Sequence, residues 1–533
     1  MKQRTIAYFA ALAIMVPACS SDDDGSARAS DPPDALPATT ALRAPATTAP
    51  TAVTAAAADT TSAAVPTAGT AAPAPQEPIE APIEQAQPPA ANPVTDTASD
   101  PLSTFAMDVD TGSYTYARQA LQNGVVPDPA TVRTEEFVNA FDQGYEPPTD
   151  SAFAVTVDAT SAPFLEPSSR VVRVGIQGRV IDDADRKDAN LTFVVDISGS
   201  MQDPGKLDAV RPALLSLVES LRLTDRVGIV VYSDDTRIAL ASTPVSEHSA
   251  IEAAIMSLTT EGSTNVEDGL RLGYEQARQV RDPERVNRVI LLSDGVANVG
   301  VTGPDEMLEV IGDAARDGID LVTVGFGLGD YNDTLMEQLA DRGDGFYAYV
   351  DGEREAVRLF SEDLTGTLQT IAREAKVQVE FNPATVSNYR LIGFENRAVA
   401  DEDFRDDSVD GGEVGAGHSV TALYEVTLQE SAATDDWLAR AAIRWLDPDT
   451  LEPSEASTTL LGGDTSNSIG EAPMRLQQDV YVAAFAESLR GSGWNELISL
   501  SGLSENLHSL GSRLDDSDLL EVAALVDSRI QLG

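Results

Sequence analysis

Cysteine is all but missing from this chain. A single one, Cys19, in 533 residues excludes any intrachain disulfide. Histidine is scarce as well: His248, His418 and His508 stand far apart, without zinc-ligand spacing. Basic residues number 36 against 86 acidic ones, a net charge of −50 at pH 7. Such a deficit argues against nucleic acid and anionic lipid head groups as partners. It fits plain solubility first, and then cations, basic partners or a salty habitat. Lysine is nearly absent among the cations, which removes a P-loop lysine and most Schiff-base candidates. No Gly-x-Ser-x-Gly elbow is present, and no nucleophile–base pair is visible.

The one long apolar stretch near the start, Ile6 to Val16, follows Lys2 and Arg4 and is too short to cross a bilayer as a mature helix. Residues 1–18 therefore read as a signal peptide. Val16-Pro17-Ala18-Cys19-Ser20 resembles the bacterial lipobox, where cleavage precedes a cysteine that carries lipid. That resemblance makes Cys19 the expected lipidation site, and its acyl chains a membrane anchor. Ser20 then leans toward outer-membrane sorting, on the periplasmic or surface face of a bacterial envelope. Residues 19–100 are rich in Ala, Thr and Pro, with no aromatic residue and no periodic apolar face, and read as a disordered tether.

The length leaves room for roughly three or four domains. The stretch on which the others depend is Leu191-Thr192-Phe193-Val194-Val195-Asp196-Ile197-Ser198-Gly199-Ser200-Met201. Its apolar run reads as a buried parallel strand. One carboxylate and two hydroxyls then fall at alternate positions on a glycine turn, at the sheet edge where open α/β folds bind ligands. Oxygen-only donors suit a hard cation such as Mg²⁺. Glu261-Gly262-Ser263-Thr264-Asn265 supplies a further hydroxyl, and Val289-Ile290-Leu291-Leu292-Ser293-Asp294-Gly295 a second apolar run ending in a carboxylate.

Together these pieces resemble the metal-ion-dependent adhesion site (MIDAS) of the von Willebrand factor type A (VWA) family: Asp-x-Ser-x-Ser, then a distant Thr, then a distant Asp. The resemblance implies metal ligation by Asp196, Ser198, Ser200, Thr264 and Asp294, directly or through water. It implies Mg²⁺, with Mn²⁺ or Ca²⁺ as alternatives, and an open coordination position for a partner protein's Asp or Glu. The implied fold is α/β, a Rossmann-like, doubly wound, mainly parallel sheet over 188–372. Within it, helices are expected at Lys206–Leu221, His248–Leu258, Val266–Val280 and Glu353–Ala372, with strands at Arg226–Ser233, Thr236–Ser242 and Val286–Ser293.

Regions 101–187 and 373–533 flank this unit. Strands at Phe153–Ala159, Val171–Gly178, Lys376–Phe381, Ser419–Thr427 and Ala439–Trp445 make both flanks β-rich, and they could build one sandwich. The last 60 residues have a helical pattern. Ser103 to Thr111, Val132 to Phe137, Leu391 to Arg397 and Gly411 to His418 are similar to YfbK-like bacterial VWA lipoproteins. Asp108-x-Asp110-x-Gly112 lacks the rest of a calcium loop and reads as structural. Asp401, Asp403, Asp406, Asp407, Asp410 and Glu413 could bind Ca²⁺ but read first as a solvated acidic loop. Gly325-Phe326-Gly327-Leu328-Gly329 is an incomplete dinucleotide loop, and Arg342-Gly343-Asp344 ordinary turn chemistry.

The leading expectation is a membrane-anchored, metal-dependent protein-binding lipoprotein, not an enzyme. A structural envelope protein with an idle metal site and a metal-dependent hydrolase are the alternatives.

Overall fold

Apolar runs of strand length alternate with amphipathic stretches from residue 189 onward, and the chain folds accordingly. The computed structural model describes residues 91–533, apart from 109, 295–303, 328–332, 363–367 and 496. The expected signal peptide, Cys19 and the tether up to residue 90 lie outside the described residues. In chain order the elements begin with β1 (Thr95–Asp96), β2 (Leu102–Ala106), α1 (Gly112–Gln122), α2 (Thr134–Asn139), β3 (Phe153–Thr160) and β4 (Ser169–Gly178). The central part runs β5 (Ala189–Asp196), α3 (Leu207–Ser220), β6 (Arg226–Tyr232), β7 (Thr236–Pro244), α4 (His248–Met256), α5 (Val266–Val280) and β8 (Val286–Ser293). It continues with α6 (Pro304–Arg316), β9 (Asp320–Phe326), α7 (Asp333–Arg342), β10 (Tyr347–Val350) and α8 (Glu353–Val357). The last part is β11 (Thr370–Phe381), β12 (Val386–Ile392), β13 (Gly412–Gly415), β14 (Ser419–Leu428), β15 (Trp437–Leu446), β16 (Pro453–Leu461) and β17 (Thr465–Ser466). Helices α9 (Met474–Arg490), α10 (Leu500–Leu514) and α11 (Ser517–Leu532) close the chain.

The central sheet has the order β10-β9-β8-β5-β6-β7, parallel except for β7, which pairs antiparallel with β6 at the edge. Every residue of β5 is buried, which is why it reads as a mainly apolar strand. The chain leaves β5 toward β6 on one side and returns through β8 on the other. The switch point of the sheet therefore falls between β5 and β8, at the carboxyl ends of both strands. On α3, Leu207, Val210, Leu214, Leu217 and Val218 form the buried face, as their spacing predicts.

The flanking regions do build one sandwich. One sheet has the order β1-β12-β14-β4-β3-β17, so strands from before the central unit pair with strands from after it. The other runs β13-β11-β15-β16, with β2 added to β11. Val172, Val174 and Ile176 share a core with Val377, Val379 and Ile443. Phe153 meets Trp445 edge-on at 5.1 Å between ring centres. A third core joins α1 and α2 to the C-terminal helices through Tyr114, Phe137, Phe485, Leu507 and Val522. Among the described residues no helix is long and apolar enough to cross a membrane.

Several expectations need correction. Order starts before residue 100: Thr95 and Asp96 pair with Tyr389 and Asn388, and the Asn92 side chain donates to the Gly393 carbonyl at 2.7 Å. The helix expected over Glu353–Ala372 runs as α8 and continues as a π-helical stretch over Arg358–Glu362; residues 363–367 lie outside the described residues, and Thr370–Ala372 already belong to β11, paired with β13. Ahead of α1 the sequence offers Thr111 or Ser113 as its cap; Thr111 flanks the helix without a side-chain capping bond, and Ser113 donates to the Thr131 carbonyl and accepts from the Arg133 amide.

Candidate metal centre

Asp196 ends β5, and Asp294 follows the last residue of β8. Val195 pairs with Leu292 in register, which brings the two carboxylates to the same sheet edge. Asp196 is fully buried. Its Oδ1 accepts from the Ser198 amide at 2.8 Å, and its Oδ2 from the Ser293 hydroxyl at 3.2 Å. Burial pushes its carboxyl up to about 6; the hydrogen bonds from Ser198 and Ser293 pull against burial, while the Asp294 charge adds to it. Tyr232, the neighbour of Asp196 on β6, is buried too; burial first, and then the Asp196 charge, push its phenol up.

Ser198 and Ser200 place their hydroxyl oxygens 3.0 Å apart. Thr264 sits half-buried on the loop before α5. That loop is tied to the Asp196 turn by two backbone bonds, Gly199 N–H to the Gly262 carbonyl at 3.0 Å and Glu261 N–H to the Ile197 carbonyl at 2.6 Å. Gly262 makes the join possible: its φ is +68°, and a Cβ there would come within 2.5 Å of an Asp234 oxygen. Asp234 in turn accepts from the amide and hydroxyl of Ser263. Asp294 is 1% exposed and carries an ion pair from Lys206, Nζ to Oδ2 at 3.0 Å.

Two carboxylates and three hydroxyls, carried on three loops tied together, form a donor set made only of oxygen. An ammonium already pairs with one of the carboxylates, so the spot attracts positive charge. These features fit a hard divalent cation of the Mg²⁺ type. Among the described residues, no group of three or more His, Cys, Asp or Glu side chains gathers as a metal cluster. The site differs in kind, because most of its donors are hydroxyls. Lys206, Ser293 and Tyr232 were not flagged by the sequence reading. Ser293 adjoins Asp294 in the quoted run, and Lys206 is a rare lysine ten residues after Asp196; these were the available signals.

The other singled-out residues go elsewhere. Asp108 and Asp110 pair with Arg397 at 3.0 and 3.4 Å, and Asp110 also accepts the Tyr347 amide. Asp401 accepts from Thr104, Asp406 from Ser408, and Asp407 pairs with Arg444. Asp344 follows α7 in the left-handed region and pairs with Arg373. Of the glycine-rich stretch 325–329, residues 328 and 329 lie outside the described residues.

The sheet, its switch point and its hydroxyl-and-carboxylate edge define a VWA-domain protein, and residues 190–362 match the family described as von Willebrand factor type A domain. Residues 366–529 match the family described as "Uncharacterized protein YfbK, C-terminal", and residues 82–173 a von Willebrand factor family. The Escherichia coli (strain K12) protein described as "Uncharacterized protein YfbK" is 35% identical over 463 residues, covering 81% of this chain and 80% of that one. The chain belongs to the YfbK family of VWA-domain proteins. Human inter-alpha-trypsin inhibitor heavy chain H3 is 27% identical over 258 residues, 45% of this chain and 29% of that one. Among solved structures, a von Willebrand factor type A protein from Catenulispora acidiphila aligns with a TM-score of 0.43 and 14% identity, over 71% of this chain and 91% of that one. Proteins with VWA domains typically mediate protein interactions.

Proposed function

We propose that this chain is a metal-dependent, adhesion-type protein-binding lipoprotein, anchored through Cys19 in a bacterial envelope, with the outer membrane as its seat. The observation that carries the reading is the meeting of Asp196, Ser198 and Ser200 with Asp294 at the β5/β8 switch point, tied to the Thr264 loop. In it, Ser198, Ser200 and Thr264 hold Mg²⁺ through hydroxyl oxygens, and Asp196 and Asp294 balance its charge. A cation held largely by neutral oxygens keeps its pull on a further carboxylate, which a partner's Asp or Glu supplies.

The rim narrows the partner. Asp203, Asp234, Asp235 and Glu261 are exposed there; Asp203 is paired with Lys206 and Glu261 with Arg237. An acidic rim repels an acidic partner at long range, so the docking carboxylate belongs in a basic or neutral surround.

Hydrolysis with the same metal finds less support. His248 follows the antiparallel β7 and so lies at the sheet edge opposite Asp196, and His508 is held by Asp527 on α10 and α11. The test is affinity capture from envelope extract with the full chain, in Mg²⁺ and in EDTA, beside Asp196→Ala. A partner retained only with metal and intact Asp196 supports the reading. The same catch in all lanes would mean that the site is idle, and loss of an ester or phosphoester turnover on that substitution would revive the hydrolase.

A further inference from the structure

Lysine is used at only four places in this chain, and one of them is inside the candidate site. Lys206 immediately precedes α3, and its side chain is 5% exposed. Its Nζ lies 3.0 Å from Asp294 Oδ2 and 3.6 Å from Asp203 Oδ2. Asp294 is sealed within the site, whereas the Asp203 side chain is 74% exposed. One ammonium therefore spans an inner and an outer carboxylate.

The stem of Lys206 is held in that position by Gly327. Gly327 has φ +82°, and a Cβ on it would lie 2.7 Å from both Cγ and Cε of Lys206. A lysine also suits the place better than an arginine: a compact ammonium on a flexible stem can pass between two carboxylates, while a planar guanidinium fork fixes itself to one.

A divalent cation between Asp196, Ser198 and Ser200 needs the negative charge of Asp294, and in this structure that charge is neutralised by Lys206. We propose that Lys206 is a tethered counter-cation of the site. Without metal it keeps the buried Asp294 paired and in place. When a divalent cation enters, the two compete for Asp294, and the ammonium moves its weight to Asp203. The site is thereby weakened for metal, and its occupancy follows the free cation concentration outside the protein. This inference rests on the metal-site reading above.

The test is calorimetric titration of MgCl₂ into the full chain: wild type, Lys206→Met, Asp203→Asn and the double variant. Methionine keeps the length of the stem and removes the charge. Lys206→Met is expected to bind Mg²⁺ about tenfold tighter or more, since a positive charge a few ångströms from the cation is gone. Its melting temperature in EDTA is expected to fall, because Asp294 loses its partner. Asp203→Asn should weaken Mg²⁺ binding when Lys206 is present, and do so less in the Lys206→Met background.

Unchanged or weaker affinity in Lys206→Met would overturn the proposal. So would an Asp203→Asn effect equal in both backgrounds. If Lys206→Met does not fold without metal, the exposed Asp203→Asn alone decides, and unchanged affinity there overturns it. No Mg²⁺ uptake by the wild type would instead remove the metal reading itself.

Discussion

Glu135, in the first turn of α2, is 3% exposed, and neither of its carboxylate oxygens reaches a hydrogen-bond partner outside its own residue among the described residues. Burial pushes its carboxyl up to about 8; the neighbouring Glu395 and Glu136 charges add to this, and its own backbone amide offsets part. The folded protein thus keeps Glu135 protonated at pH 7, while in the unfolded chain, with the ordinary value of 4.5, it is ionised. A raised folded value means that the folded state holds the extra proton between 4.5 and 8. The contribution to stability is full below 4.5 and is lost as pH rises through 8. At about 1.4 kcal/mol per pH unit, the loss between pH 5 and pH 9 is on the order of 4 kcal/mol. Glu135→Gln imitates the neutral acid and has no proton to give up. Urea unfolding of both proteins at pH 5, 7 and 9 should show the variant gaining on the wild type as pH rises. Parallel stability profiles would refute the reasoning.

Two further substitutions probe the joints between the modules. Arg397 holds Asp108, Asp110, Glu337 and Asp341 at 2.9 to 3.4 Å; Glu337 keeps Arg133 at 2.6 Å without it, but Arg397→Met takes the cation away from the buried Asp108 and Asp110 and should cost about 3–5 kcal/mol in urea unfolding; no measurable loss would contradict this. Burial, and then the Arg288 charge, hold the His418 imidazole down to about 4, below its ordinary 6.5. The stability this gives is full above pH 6.5 and is lost as pH falls toward 4, by up to about 3 kcal/mol, discounted because the residue is not fully buried. His418→Gln should flatten that acid limb in melts between pH 7 and pH 4, and an unchanged limb would count against it.

The elements that hold the site were the most legible in the sequence. Val266–Val280 and Val286–Ser293 form over the residues their patterns predict, because one is a strongly amphipathic helix and the other an uninterrupted buried strand. The sandwich was harder to read. Ile371 to Ala375 has helix-favouring composition, yet it forms β11, with a register shift and Glu374 in the left-handed region. Tertiary pairing overrode local propensity there. Strand β12 escaped because Asn388 and Arg390 interrupt its apolar positions. Within the site, the ligand candidates could be read from their spacing. Lys206 could not be assigned a role in advance, since its contact with Asp294 joins residues 88 apart through the closure of the sheet.

Metal uptake tests the central claim most directly. Calorimetric titration of Mg²⁺ into the EDTA-treated full chain, wild type beside Asp196→Ala, reads the site without needing the partner. The account predicts saturable uptake of a single Mg²⁺ by the wild type and none by Asp196→Ala. No uptake by the wild type, or equal uptake by the two proteins, would contradict it.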